Sequence, residues 1–295
     1  MKCFILLISV FAIACTSKNE IGSKENPIQF ALVPGQDAVV LLENGKILEK
    51  WISEQTGLHV KVQVPVNFIA VVEALGSKRV DVAVLNTFGY ILAHDKYQAE
   101  AYLIGVNKDR SEYWGQIITK DPKIKSIQDL QGKKFAFVDP ASTSGYVLPA
   151  KLLKDEKVKP GEIIFAGKHD SVVTMVYQGR VDAGAVYYAP PEDGVPQDAR
   201  KLVLSQYPDV FEKVRTLKMT ESIPSDPVVF RKDLPNEVRT KVITALKSFS
   251  STPEGARALK ELYLLTGFKD CTDKTYDPVR KVLLDLGKEA QDFVK

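Results

Sequence analysis

The feature that most constrains the fold is a regular alternation of short apolar runs with stretches of helical periodicity. Residues 27–34 (PIQFALVP) form a strand-like run, and residues 41–56 then carry apolar side chains at helical spacing. Residues 59–65 (HVKVQVP) alternate with a period of two, which is typical of a strand. A helix at 67–76 and a strand–helix unit at 80–92 continue the order. Strand–helix units at this density predict an α/β fold with mostly parallel sheets covered by helices.

A second strand–helix series begins near residue 113, and the chain ends in a helical region. Because 295 residues exceed what one compact core usually holds, we expect two lobes. The further predicted elements are strands at 116–119, 134–138, 163–165, 181–187 and 228–230, and helices from 144, at 169–177, 237–250, 253–266 and 278–294.

Composition and charge exclude several classes of protein. The chain has 40 Lys and Arg against 37 Asp and Glu, and the positive residues are spread along it, whereas nucleic-acid binders concentrate theirs. Three cysteines are too few for a disulfide scaffold or a Cys-based zinc site. The three histidines fall in separate predicted elements, so we expect no metal and no cofactor.

Residues 1–14 have the pattern of an export signal, because a lysine precedes a short apolar run that ends in small residues. That run is too short to remain as a membrane-spanning helix. Its end, AIAC, resembles the lipobox of bacterial lipoproteins, with Ala12 in place of the usual Leu, and predicts lipidation at Cys15. Residues 15–25 are predicted to be a flexible tether. The alternative is a plain secretory signal cleaved nearby, with Cys15 unmodified.

The clearest functional signal is a polar helix start after a buried strand, in KFAFVDPASTSGY. Ser142, Thr143 and Ser144 place three hydroxyls at this helix start, and Gly145 allows close approach of the backbone. Free N–H groups and the positive helix end point the same way as the hydroxyls, which predicts an anion cradle. Helix capping is the alternative for any single hydroxyl. The segment lacks the glycine patterns of nucleotide and dinucleotide sites.

The same segment carries a family resemblance. VDPASTSGY and the preceding SIQDLQGKKFAF resemble the phosphonate/phosphite-binding proteins that serve bacterial ABC importers. The resemblance continues in residues 49–85, in KHDSVVTMVYQGRVDAGAVY and in IPSDPVVFRKDLP. It covers nearly all residues from about 28 to 287, and this combination of motifs is more specific than a shared fold would be.

The resemblance implies a two-lobed periplasmic binding protein of type II, with the ligand cleft between the lobes. Lobe one would comprise residues 26–115 plus 219–295, and lobe two residues 116–218. The chain would cross between lobes near residues 113–118 and 217–229, which would act as hinges. A ligand that bridges both lobes would favour the closed state.

The resemblance also assigns ligand-binding roles. Residues 142–144 match phosphoryl-binding hydroxyls, His169 matches a histidine that donates to the same oxyanion, and Asp226 matches an aspartate that contacts the phosphoryl group. A carboxylate beside an oxyanion is repulsive unless a proton lies between them, so this set favours a monoprotonated anion. A capping or surface position for His169 and a turn position for Asp226 are the alternatives.

Two departures from the family pattern bear on the ligand. Phe68 stands where relatives often have Tyr, which removes a hydroxyl donor. Binders of aminoalkylphosphonates carry a carboxylate just after the strand that here ends at Tyr187, and in this chain the first acid is Glu192. We therefore expect a small or apolar substituent packed on tyrosine rather than an ammonium group. Weaker candidates from lobe one are Asn86, Thr87, Tyr90 and Tyr113.

The sequence thus predicts a non-enzymatic solute-binding protein that captures a small phosphorus oxyanion and delivers it to an ABC permease and ATPase. We expect a monomer, located in the periplasm or outside the cytoplasm, held on a membrane by a lipid anchor and not bound to nucleic acid. The alternatives are an anchored sensor, a binding protein for another small anion, or an enzyme on the same two-lobed fold. The last lacks support, because no nucleophile elbow or HExxH motif is present.

Overall fold

Apolar strands from the first and last parts of the chain form one sheet. In a computed structural model that describes residues 20–285, this sheet has six strands. From one edge to the other they are β11 (Gly267–Asp270), β4 (Glu100–Val106), β10 (Pro227–Phe230), β3 (Val82–Val84), β1 (Ile28–Leu32) and β2 (Val60–Gln63).

The middle of the chain forms a second sheet of five strands within the same described residues. From edge to edge they are β7 (Glu162–Phe165), β6 (Lys134–Phe137), β8 (Ala183–Tyr188), β5 (Glu112–Thr119) and β9 (Arg215–Pro224). The prediction of an α/β fold with two lobes is confirmed by these two separate sheets.

Both sheets are mixed, so the expectation of mostly parallel sheets is wrong. Strand β1 pairs in parallel with β2 and β3, and β6 pairs in parallel with β7 and β8. Every pairing made by β4, β5, β9, β10 or β11 is antiparallel. Strands β4, β9 and β11 were not predicted. Most of β9 is half-exposed or exposed and gives no apolar alternation. Strand β11 begins directly after the predicted helix at 253–266, in a stretch to which no element was assigned.

Helices cover both faces of each sheet. In lobe one, Phe30 faces a cluster with Leu48 and Phe249, whereas its neighbour Ala31 faces a cluster with Val72. Each large buried side chain contributes roughly 1.5–3 kcal/mol. The helices are α1 (Ala38–Thr56), α2 (Phe68–Gly76), α3 (Thr87–Tyr97), α4 (Leu148–Asp155), α5 (His169–Gln178), α6 (Val210–Lys213), α7 (Asn236–Ser248), α8 (Pro253–Tyr263) and α9 (Asp277–Asp285).

The strand pairing places the boundaries between the two sheets at other residues than the predicted lobe boundaries. Residues 115/116 fall inside β5 and residues 218/219 fall inside β9, and these two strands pair with each other from Glu112 to Thr119. The chain therefore crosses between the sheets at residues 107–111 and again at 225–226.

The amino-terminal predictions are only partly within the described residues. The signal peptide at 1–14, Cys15 and the tether up to residue 19 lie outside them. Residues 20–25 pack on lobe one, where Gly22 is buried and its carbonyl accepts a hydrogen bond from the His59 N–H at 2.7 Å. This last part is therefore not the flexible tether that its polar composition predicts.

Candidate functional site

A cavity of about 360 Å³ lies between the lobes, next to the two chain crossings. The parallel strands of each lobe run toward it, so the helices that follow them begin at its wall. Asn86 starts α3, Phe68 starts α2 and His169 starts α5, and all three line the cavity. Helix starts carry partial positive charge and free N–H groups, so this convergence favours an anionic occupant.

The predicted hydroxyl segment forms part of the lobe-two wall. It starts with a π-helical turn, Thr143–Val147, in which the Ser142 hydroxyl accepts from the Gly145 N–H at 3.1 Å. Ser142 and Ser144 are buried and line the cavity. Gly145 does not line it and serves packing instead, because a Cβ there would lie 2.4 Å from a methyl of Val138.

Thr143 contacts the other lobe and does not line the cavity. Its hydroxyl accepts from the Phe88 N–H at 2.8 Å and donates to Asn86 Oδ1 at 3.1 Å. Thr87 is also outside the lining, and its hydroxyl donates to the Pro224 carbonyl at 2.6 Å. Neither threonine lines the cavity in this structure, and the direct ligand contact expected of both stays a prediction.

His169 presents a neutral imidazole to the cavity. Burial lowers the pKa of His169 to about 3. The Tyr187 N–H donates to Nδ1 at 3.2 Å, so the ring proton is on Nε2, which remains a donor. The Tyr187 ring packs edge-on against the imidazole, with centroids 5.0 Å apart, and both residues line the cavity.

The floor of the cavity comes from the two crossings. Tyr113 is the second residue of β5, and its hydroxyl donates to Asp226 Oδ1 at 3.2 Å. Burial raises the pKa of Asp226 to about 7, although the bond from Tyr113 opposes that shift. Burial and the neighbouring Asp226 also raise the pKa of Tyr113 well above its usual range. With this pKa, the Asp226 carboxyl is partly protonated near neutral pH.

The lobe-one wall combines aromatic rings with side-chain amides, among them Asn86 and Gln36. Phe68 is the first residue of α2, directly after the N-cap residue Asn67, and its buried side chain lines the cavity. Tyr263 also lines it and donates to the Val33 carbonyl at 3.3 Å. The sequence offered no signal for Tyr263, because the helical pattern continues to residue 266 while α8 ends at Tyr263. Tyr90 lies in the core, where it donates to Asp273 at 2.7 Å.

The two lobes are in contact, so the cleft is closed. The His169 N–H donates to the Gly35 carbonyl at 3.3 Å across the cleft. Glu192 of lobe two pairs with Lys260 of lobe one at 3.1 Å and accepts from Asn107, at the start of the first crossing, at 2.6 Å. Glu192 is thereby engaged in this contact and does not line the cavity.

Other charged side chains line the cavity as well. Among the acids, Asp170 is half-buried, and the remaining three are exposed. Lining cations are Arg110, Lys201 and Lys260, and the exposed acids are Asp37, Glu112 and Glu261.

Two further observations apply to residues 20–285. Within this range, no three His, Cys, Asp or Glu side chains are grouped so that they could hold a metal ion. None of the helices in the same range combines the length and the apolar character needed to cross a bilayer.

Comparison with known proteins identifies the family. A sequence profile described as "ABC transporter, phosphonate, periplasmic substrate-binding protein" matches residues 30–276. The chain belongs to this family. Members are substrate-binding components of transporters, located in the periplasm, and are not enzymes.

Individual members of the family show how far the similarity extends. The chain is 29% identical over 200 residues to the phosphate-import protein PhnD of Mycolicibacterium smegmatis, which covers 61% of this chain and 62% of that protein. The match thus spans less than two thirds of that relative.

Solved structures of the family share the fold. The binding component of a phosphonate transporter from Pseudomonas aeruginosa has a TM-score of 0.77 at 22% identity, covering 90% of this chain and 87% of that one. PhnD1 of Prochlorococcus marinus in complex with methylphosphonate has a TM-score of 0.76 at 19% identity, covering 89% and 98%. These likenesses confirm the type II periplasmic binding fold.

Proposed function

We propose that the cavity binds a small phosphorus oxyanion, such as a phosphonate or phosphite, and that the closed protein delivers it to an ABC permease and ATPase. The observation that carries this proposal is a set of neutral donors at converging helix starts. Ser142 and Ser144 supply hydroxyls, and His169 supplies the Nε2–H. A buried site of neutral donors suits an anion that must be released again, because it holds the charge without a fixed ion pair.

The relatives support this class of ligand. The Prochlorococcus structure holds methylphosphonate, and the Mycolicibacterium protein is named for phosphate import. All of these anions are tetrahedral and rich in acceptor oxygens, which matches the donors of the lobe-two wall.

The cavity volume and lining support a small or apolar substituent on the anion. At about 30 Å³ per water molecule, a volume of about 360 Å³ exceeds what a bare tetrahedral anion needs. Val33, Val40 and Leu202 add apolar surface to the rings of Phe68 and Tyr187. An alkyl group packed on this surface would be removed from water, which favours binding by about 0.8 kcal/mol for each buried CH₂.

Asp226 supports selection for one shared proton. With a pKa raised to about 7, its carboxyl holds a proton more readily than an exposed aspartate does. A protonated Asp226 can donate to the anion, whereas an ionised one needs a proton on the ligand. Either arrangement places a single proton between the two groups.

A lipid anchor at Cys15 would hold the protein on the membrane that contains the permease. We expect the anchored protein to be a monomer. The AIAC ending of the export signal is what supports it. Incorporation of radiolabelled palmitate by the wild-type chain, but not by Cys15→Ser, is the result that we expect. Equal labelling of the two chains would exclude the anchor.

A ligand screen tests the proposed function. Thermal unfolding of the ligand-free protein is followed with phosphite, methylphosphonate, hypophosphite, phosphate, sulfate and aminoethylphosphonate, and calorimetry then measures Kd for each anion that shifts the transition. We expect phosphite and methylphosphonate to bind more tightly than aminoethylphosphonate, because Glu192 is engaged with Lys260. Tightest binding of sulfate, which carries no proton at neutral pH, or no binding at all, would contradict the proposal.

A further inference from the structure

The side-chain oxygen of Asn86 accepts two hydrogen bonds. Asn86 caps α3, and its Oδ1 accepts from the Gly89 N–H at 2.7 Å. Oδ1 also accepts from the Thr143 hydroxyl of lobe two at 3.1 Å. The amide cannot be turned over, because Nδ2 would then face the Gly89 N–H, and two donors repel.

Among the residues that the structure describes, the nitrogen of this amide has no partner. Asn86 is 5% exposed and lines the cavity, and within residues 20–285 its Nδ2 has no acceptor at hydrogen-bond distance. A buried donor without an acceptor costs about 1–3 kcal/mol, so native proteins keep few of them. The group that satisfies it must therefore come from outside residues 20–285.

We propose that Asn86 Nδ2 donates to an oxygen of the bound anion. This inference rests on the proposed function and names lobe one's own donor to the ligand. The Thr143 hydroxyl reaches Asn86 only when the lobes meet, so closing the cleft orients the amide that contacts the ligand. Thr143 is then a positioning residue, since it acts through Asn86.

The substitution Asn86→Asp tests the proposal. An aspartate keeps the oxygen that caps α3 and accepts from Thr143, but it replaces the amide donor with an oxygen that repels an anion. The matched control is Asn67→Asp, because Asn67 caps α2 in the same way, with Oδ1 accepting from the Ala70 N–H at 2.8 Å, and does not line the cavity.

Calorimetry with methylphosphonate gives the readout, and phosphite serves if methylphosphonate does not bind the wild type. Loss of a hydrogen bond to a charged group corresponds to about tenfold or more in Kd. We expect Asn86→Asp to raise Kd at least tenfold above that of Asn67→Asp. A smaller increase would overturn the proposal and would indicate that a water molecule satisfies Nδ2.

A second variant guards against misfolding. If Asn86→Asp unfolds at a lower temperature than Asn67→Asp, then Asn86→Ser replaces it, since serine is also a strong helix cap. It lacks the amide, and we expect the same tenfold loss, whereas unchanged affinity would overturn the proposal. Failure of the proposed function looks different, because the wild type itself would then bind none of the tested anions.

Discussion

The two walls of the cavity are built on the same plan and hold their polar groups in different ways. In each lobe, the helices that follow the parallel strands have their N-termini at the cleft. On the lobe-two wall, Ser142 is held by Gly145 three residues away, and His169 by the backbone of Tyr187 in the same lobe. On the lobe-one wall, the Asn86 amide is oriented partly by Thr143, which belongs to the opposite lobe.

This difference indicates an order of events. The contacts that hold the Ser142 hydroxyl and the His169 ring lie within lobe two, so we expect these two donors to be in place before the cleft closes. The lobe-one amide reaches its final position on closing. A ligand that first binds lobe two and then recruits lobe one would shift the open–closed equilibrium by its added contacts with the second wall.

The largest expected effect comes from removing the lobe-two hydroxyls together. Each hydrogen bond to a charged ligand contributes about 1.5–3 kcal/mol, so Ser142→Ala with Ser144→Ala should raise Kd by at least ~100-fold. Calorimetry measures it, and Ser126→Ala, an exposed lobe-two serine bonded to Asp129, is the control. A change of less than about tenfold would mean that lobe two is not the wall that first holds the anion.

Substitution of Asp226, at the floor of the cleft, should change the thermal stability of the ligand-free protein. Because burial raises the pKa of Asp226 to about 7, the folded protein binds more protons than the unfolded chain between about pH 4 and 7. Stability therefore falls as the pH rises through that window. Asparagine cannot ionise, so Asp226→Asn should raise Tm at pH 8 by at least ~2 °C and by little near pH 4.

The control for this measurement has the opposite sign. Backbone N–H groups of Lys125 and Ser126 lower the pKa of Asp129, so its ionised form stabilises the fold. Asp129→Asn should therefore lower Tm at pH 8. If Asp226→Asn lowered Tm at pH 8 in the same way, Asp226 would be an ionised structural residue and not a proton-sharing one.

A smaller effect on Kd concerns the contact between the walls. Thr143→Val keeps the shape and removes hydrogen bonds between neutral groups, which contribute about 0.5–1.5 kcal/mol each. The two bonds together correspond to a rise in Kd of about 5- to 150-fold, while Thr143→Ser should stay near wild type. A calorimetric loss well above this range would instead place the Thr143 hydroxyl on the ligand, as the family resemblance implies.

Several site residues could be predicted because their signals are local. A run of hydroxyls after a buried strand is visible in the sequence, and Ser142 and Ser144 do line the cavity. Asn86 had the same kind of signal, a cap residue after a strand, and was predicted only as a weaker candidate. Tyr263 had none, because its place depends on where α8 ends, and there Leu264 takes a left-handed backbone conformation with φ of 58°.

Other features could not be predicted from the sequence, because they depend on the geometry of the folded chain. Thr143 sits between two residues that line the cavity, yet its hydroxyl faces the other lobe, since successive positions of a helical turn point in different directions. Strand β9 is mostly half-exposed or exposed at the edge of its sheet, so burial left no apolar pattern in it. Both boundaries between the lobes were displaced by the pairing of this strand with β5.

Local physical chemistry, read along the sequence, was enough to predict the alternation of strands and helices and the polar helix start, and the resemblance of several motifs indicated the family. Contacts between distant segments established the rest: the mixed sheets, the crossings, the burial of Asp226 beside Tyr113 and the orientation of Asn86. The physical reason is the distance along the chain over which each kind of interaction acts. Capping and periodicity act over a few residues, whereas burial, pKa shifts and contacts across the cleft depend on segments that lie far apart in the chain.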